Sequence, residues 1–297
     1  MLDRPAAWQG GRVDVRGVLQ ERWGLEPVRL EALTGGMGSE TWLAAADGWR
    51  VVVKSVHAGD SAFAPGLELA VRLDDAGFVT GRPQVSRAGR VVERVGDRQV
   101  GVLEFVDGTP LTGDAADQRA VGEALARVHQ LSATAPGELE DWLQLVTQFE
   151  PYFDLEDWIR PAVESALNGV RAFDELTWAW LHGDPAAEAF LRQPDDAVAL
   201  IDWGAAMHGP VLYDVASAVM YADGQPDHVV PAYLRQHSDL EHEIRAGLDA
   251  FLRIRWSVQA GYFAWRCANN IRTGITSPAE NHKGLTDAHQ AFTTANR

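Results

Sequence analysis

Hydrophobic periodicity changes character once along this chain, and that change restricts the fold more than any other feature. From about Leu25 to Val106 the apolar residues are β-branched, run in short stretches and are separated by turn signals, as in antiparallel strands. Asp47-Gly48, between Thr41-Trp-Leu-Ala and Trp49-Arg-Val-Val-Val-Lys-Ser-Val, takes the positive φ angles of a two-residue hairpin turn, and a second hairpin is expected near Ala88-Gly89. Between them Leu67, Ala70, Val71 and Leu73 predict one helix over 65–76, with Gly77 as its C-cap. From Asp117 onward the period is helical: Val121, Leu125 and Val128 lie on one stripe, 132–137 reads as a loop, and 140–173 and 210–295 are almost wholly helical. Trp256, Tyr262, Phe263 and Trp265 read as core aromatics. The expected class is α+β, strands first and helices second.

Two short apolar runs, Thr177–Leu181 and Ala197–Ile201, interrupt the helices, and each ends in an acidic cluster: His182-Gly-Asp184 after the first, Ile201-Asp-Trp-Gly204 at the second. A short loop and a returning strand between Asp184 and Asp202 can bring the two carboxylates together. Upstream, Leu33-Thr-Gly-Gly-Met-Gly-Ser39 is a glycine-rich turn between strands, where missing side chains let backbone N–H groups approach anionic oxygens. It is not a Walker A loop, because no Gly-Lys-Ser/Thr follows and a strand comes next. Lys54 lies on the strand beyond it, and Glu68, in the predicted helix, is its natural counter-charge. Each piece alone has a plain reading as hairpin, solvated charge or turn former; their order together points to phosphoryl transfer. One carboxylate orients a hydroxyl and takes its proton, while a second holds Mg²⁺ on nucleotide phosphates.

In these four pieces the sequence resembles the aminoglycoside phosphotransferase and choline kinase family, a branch of the protein-kinase-like fold, over most of its length. The resemblance implies a bilobal molecule: an antiparallel-sheet N-lobe with one helix over 1–106, and a larger, mainly helical C-lobe over 107–297 holding the catalytic loop and acceptor site. It implies that Gly36, Gly38 and Ser39 cover the phosphates of ATP, that Lys54 contacts them and that Glu68 pairs with Lys54. It implies further that Leu103 to Val106 form the hinge, with backbone groups of Glu104, Phe105 and Val106 hydrogen-bonding adenine, that Asp184 is the catalytic carboxylate and that Asp202 binds magnesium. Asp214 resembles the family's acidic position that supports the active-site loops, and His182 is expected to orient its loop rather than act as a base. The family pattern calls for an asparagine five residues after the catalytic aspartate, where this chain has Ala189, which cannot ligate a metal. Glu188 is the expected substitute ligand, and Pro185 fixes φ directly after Asp184.

Composition limits the partners. With 26 Lys+Arg against 42 Asp+Glu the formal net charge is −16, which disfavours nucleic acid and anionic membrane and suits a neutral or cationic partner, although solubility alone explains it equally well. Glu150, Asp154, Glu156, Asp157 and Asp174 are candidates for a cationic-substrate pocket, with a solvated helix surface as the plainer reading. The only cysteine, Cys267, rules out an internal disulfide, residues 1–20 hold no apolar leader segment, and no uncharged run is long enough for a membrane span, so a soluble cytoplasmic protein is expected. The leading expectation is an ATP- and Mg²⁺-dependent kinase of a small hydroxyl-bearing molecule, such as an aminoglycoside or amino alcohol. A kinase of Ser/Thr in a natural-product precursor peptide, and a pseudokinase that only binds nucleotide or a partner, are the alternatives.

Overall fold

A computed structural model describes residues 13–33, 37–222 and 226–294. The chain divides into two compact units: one runs to Thr109 and includes Leu191–Ala206, and the other comprises Pro110–Phe190 and the residues from Met207 onward. The division is therefore not the single cut expected after residue 106, because the segment carrying Asp202 belongs with the strand-rich unit.

That unit holds a five-stranded antiparallel sheet in the order β1 (Arg29–Leu33), β2 (Glu40–Ala46), β3 (Trp49–His57), β5 (Arg98–Glu104), β4 (Val92–Val95). The β2–β3 hairpin turns at Asp47-Gly48, with Ala46 opposite Trp49 and Gly48 at φ 88°. The next hairpin turns at Gly96, where Val95 pairs with Arg98, and not at Ala88-Gly89 as expected. Residues 88 and 89 instead close a separate turn, in which the Ser86 N–H donates to the Arg90 carbonyl at 2.8 Å.

Strand alternation gives the sheet two apolar faces. Val51, Val53, Val100 and Val102 bury against Val15, Val18 and Leu19 from α1 (Val15–Val18) and the π-helical turn that continues it, a cover that was not expected from the sequence. On the other face Val56 packs with Phe63 and Leu67 of α2 (Phe63–Asp75). Each such side chain contributes about 1.5–3 kcal/mol by leaving water. Asp60 accepts the N–H groups of Ala62 and Phe63 at the start of α2, and the Phe78 N–H returns to the Leu73 carbonyl past its end, through Gly77 at φ 81°.

The second unit is mainly helical. After the two-residue β6 (Thr109–Pro110) it contains α3 (Ala115–Leu131), α4 (Leu139–Trp142), α5 (Gln144–Thr147), α6 (Ile159–Arg171), α7 (Val211–Tyr221), α8 (Val229–Leu234), α9 (Glu241–Ala268) and α10 (Pro278–Thr294). The run ending in Leu181 is strand β7 (Trp178–Leu181), paired antiparallel with β10 (Met207–Pro210) so that Leu181 faces Met207. Between them β8 (Phe190–Arg192) and β9 (Val198–Leu200) form neighbouring strands, and Asp202 follows β9. The four aromatics expected in the core are only half-buried on α9: the Tyr262 ring lies 6.3 Å from Phe149 and 5.4 Å from Phe263, and none of Trp256, Tyr262, Phe263 and Trp265 is fully buried. Cys267 is half-buried, and burial pushes its thiol above the ordinary range. Among the described residues no helix is long and apolar enough to cross a membrane.

Candidate active site

In the strand-rich unit, Lys54 stands on β3 opposite Thr41, and its ammonium forms an ion pair with Asp202. The expected pairing with Glu68 is not made. Helix α2 buries Phe63, Gly66, Leu67, Leu69, Ala70 and Leu73, and its period turns Glu68 to the opposite, solvent-facing side; no ion pair joins it to Lys54 among the described residues. The inward position of α2 is Gly66: a Cβ there would lie 1.9 Å from the Trp203 carbonyl oxygen and 3.3 Å from the Ala206 methyl. The helix thus rests directly on the loop that presents Asp202, a closeness only glycine allows. Asp202 itself has φ 71°, a left-handed conformation that aspartate tolerates better than most residues and that is met disproportionately at functional sites.

Of the glycine-rich turn, Gly36 lies outside the described residues. The space beside Gly38 is open, with no atom within 4 Å of where a Cβ would stand, and the Ser39 hydroxyl lies 3.3 Å from that of Thr41. At the hinge the Glu104 side chain is exposed while its N–H donates to the Arg82 carbonyl at 2.9 Å. The Phe105 ring is covered by the Arg50 guanidinium at 4.4 Å, and Arg50 continues to Asp107 at 2.5 Å, so β3 holds the segment containing Val106 by one side chain.

In the helical unit, the turn after β7 is built around Asp214. Its buried carboxylate accepts the backbone N–H of His182 at 2.7 Å and of Gly183 at 2.9 Å, and lies 3.2 Å from His129 Nε2. His129 Nδ1 is in turn 2.9 Å from the Tyr233 hydroxyl. His182 is fully buried with Nδ1 turned to the Asp184 N–H at 3.4 Å, and Gly183 supplies φ 86°. This frame presents Asp184 with half of its side chain exposed. Asp184 Oδ1 accepts from the Tyr221 hydroxyl at 2.5 Å and from Arg255 Nη2 at 3.0 Å. His129, Tyr221, Tyr233 and Arg255 carry no sequence signal for this role: each stands within a helix, and no local pattern ties it to residue 184 or 214. The phenol of Tyr213, beside this group, is pushed up to about 12, first by burial and also by Asp184 and Asp214, against the opposing charge of Arg255.

The expected second metal ligand, Glu188, lies on a short turn after the Asp184 loop. In the 3₁₀ turn Ala187–Ala189 the Ala189 methyl is buried and Glu188 points to solvent, and among the described residues no three His, Cys, Asp or Glu side chains gather as a metal cluster. The donor set fits Mg²⁺ nonetheless. This ion keeps waters and is commonly bound through one or two carboxylates plus substrate phosphates, and Asp202, 57% exposed beside a lysine, is such a carboxylate. The acidic residues considered for a cationic substrate are in part neutralised already: Arg160 binds Asp154 at 2.7 Å and Glu150 at 3.7 Å.

A five-stranded antiparallel sheet with one helix, followed by a mainly helical unit, is the order of elements of a kinase-like fold. Residues 29–250 match the model of the phosphotransferase enzyme family, and the chain belongs to that family. It is similar to a homoserine kinase of Methylobacillus flagellatus, 24% identical over 250 residues that cover 81% of this chain and 75% of the relative. It is also similar to a homoserine kinase of Beijerinckia indica, 29% identical over 54% of this chain and 53% of the relative. Among solved structures the fold is shared with amicoumacin kinase hAmiN in complex with AMP-PNP, Ca²⁺ and Ami (TM-score 0.74, 16% identity, 94% and 93% of the two chains). It is shared as well with the choline kinase LicA of Streptococcus pneumoniae (TM-score 0.70, 14% identity, 95% and 96%).

Proposed function

We propose that this phosphotransferase moves the γ-phosphoryl group of ATP, as its Mg²⁺ complex, to a hydroxyl of a small molecule. The observation that carries the reading is Asp184: a half-exposed carboxylate on a loop fixed by the buried Asp214, with one oxygen held by Arg255 and Tyr221. Such a group orients an acceptor hydroxyl and takes its proton as the new P–O bond forms and ADP departs with the electrons of the broken one. Lys54 would neutralise phosphate charge, Gly36, Gly38 and Ser39 would cover the phosphates, and backbone groups of Glu104, Phe105 and Val106 would receive adenine. Mg²⁺, when bound, shields the charge of the transferring phosphoryl group; Asp202 would hold it, with the exposed carboxylate of Glu188 as the candidate substitute for the missing asparagine.

The homoserine kinase relatives support a small hydroxyl compound with an amino group as acceptor, so homoserine and amino alcohols come first, and aminoglycosides second. Use of ATP and a single thiol support a cytoplasmic site of action. The pseudokinase reading has a specific observation in its favour, the buried alanine methyl at position 189. Melting curves with ATP, with and without Mg²⁺, followed by phosphoryl transfer to homoserine, separate the two: ligand at about 100 times its dissociation constant adds about 2.7 kcal/mol to the folded state. A stabilisation that needs Mg²⁺ together with transfer is expected, and binding without transfer to any acceptor argues for the pseudokinase.

A further inference from the structure

The carboxylate read as the base is gripped on one side only. Asp184 Oδ1 takes both available donors, Tyr221 and Arg255, and these two also hydrogen-bond each other, with the guanidinium carbon 5.2 Å from the Tyr221 ring centre. Among the described residues Oδ2 has no intramolecular partner. Arg255 lies in the middle of the 28-residue helix α9 and is 7% exposed, with Nε buried and without a hydrogen-bond partner. A guanidinium does not lose its proton, and a desolvated one needs a carboxylate close by; Asp184 is the acid paired with it. The two partners differ in freedom: Arg255 is fixed in a packed helix, whereas Asp184 sits on a loop with 51% of its side chain exposed.

We propose that Arg255 and Tyr221 are positioning residues for phosphoryl transfer, pinning Oδ1 of Asp184 so that Oδ2 is the oxygen offered to the acceptor hydroxyl. The inference rests on the phosphotransferase reading above and adds to it which oxygen acts and what aims it. Arg255 and Tyr221 come from α9 and α7, so the aim of the base is set by helix packing rather than by its own loop. A carboxylate freed to rotate would spend most of its time misdirected, and displacements of about 1 Å cost roughly a hundredfold in rate.

Arg255→Gln, Arg255→Lys and Tyr221→Phe test this, with turnover of Mg·ATP measured first with homoserine and then with water as acceptor. Arg255→Gln is expected to lower kcat about 10- to 100-fold with the KM for ATP within about twofold, and Arg255→Lys to recover part of the loss. Tyr221→Phe, which removes one hydroxyl, should lose about 3- to 10-fold and decides the matter if the arginine variants do not fold. A second readout needs no turnover: labelling of Asp184 by a carbodiimide and an amine, followed by peptide mass spectrometry, should quicken several-fold in Arg255→Gln. Unchanged kcat in the folded variants, or a raised acceptor KM with kcat intact, overturns the proposal. If the wild-type protein turns over no ATP, the phosphotransferase reading fails instead, and equal labelling in wild type and variant then removes the positioning role as well.

Discussion

Replacing Gly66 by alanine probes the contact that ties the helix of the strand-rich unit to its acidic loop. The added Cβ would stand 1.9 Å from the Trp203 carbonyl oxygen and 3.1 Å from its carbon, both backbone atoms that cannot swing aside. Restoring ordinary contact requires α2 and the 203–205 turn to separate by about 1.5 Å. Overpacking of this kind costs about 1–3 kcal/mol, and alanine returns up to about 1 kcal/mol through helix propensity, leaving a net loss of up to about 2 kcal/mol. In a chain of this size that is a fall in Tm of up to about 3 °C. The functional effect is larger, because the turn presents Asp202 to Lys54 and a 1 Å error in such a group costs roughly a hundredfold. Scanning calorimetry and steady-state ATP turnover on Gly66→Ala therefore should show a small stability loss beside a large activity loss. Wild-type turnover in that variant would refute the argument that Gly66 sets the position of Asp202.

Further outcomes follow from the same geometry. Asp202→Asn should weaken Mg·ATP binding at least tenfold by titration calorimetry while Glu68→Gln stays within about threefold of wild type, since an exposed carboxylate off the lysine contributes little; equal losses in both would restore Glu68 to the site. Asp214→Ala strips the acceptor from the His182 and Gly183 N–H groups and should cost about 3 kcal/mol or more in urea unfolding, a loss under 1 kcal/mol contradicting its role as the frame of the loop. Tyr213 gives a pH signature. Its folded-state pKa is raised from 10.0 to about 12, so its contribution is complete below pH 10 and is lost as pH climbs to about 12. The slope is about 1.4 kcal/mol per pH unit. Tyr213→Phe should flatten that alkaline decline, and an unchanged pH profile would discard the assignment.

What was legible in the sequence was what local pattern encodes. Asp47-Gly48 marks its hairpin because positive φ is needed there, and alternation in Val51-Val-Val-Lys places Lys54 on a sheet face. His182-Gly-Asp184 shows itself because a strand, a positive-φ glycine and a carboxylate follow one another directly. Glu68 was misjudged although the information was present: the same helical period that buries Leu67 and Ala70 turns residue 68 outward. The partner of Lys54 is instead Asp202, 148 residues away along the chain. Arg255 was illegible in a stronger sense, since in Leu-Arg-Ile-Arg-Trp nothing separates the buried arginine from exposed ones until the packing of α9 is known. The helical cover over 15–23 was missed because a short segment declares itself only through the sheet it shields.

The most direct test of the central claim is transfer of label from γ-³²P-ATP with Mg²⁺ to a panel of homoserine, choline and aminoglycosides, by the wild-type protein and by Asp184→Asn. The account predicts label on one hydroxyl acceptor with the wild-type protein and a loss of at least about a hundredfold in Asp184→Asn with nucleotide binding preserved. Equal transfer by both proteins would contradict the role given to Asp184, and nucleotide binding without transfer to any acceptor would contradict the assignment of this chain as a working kinase.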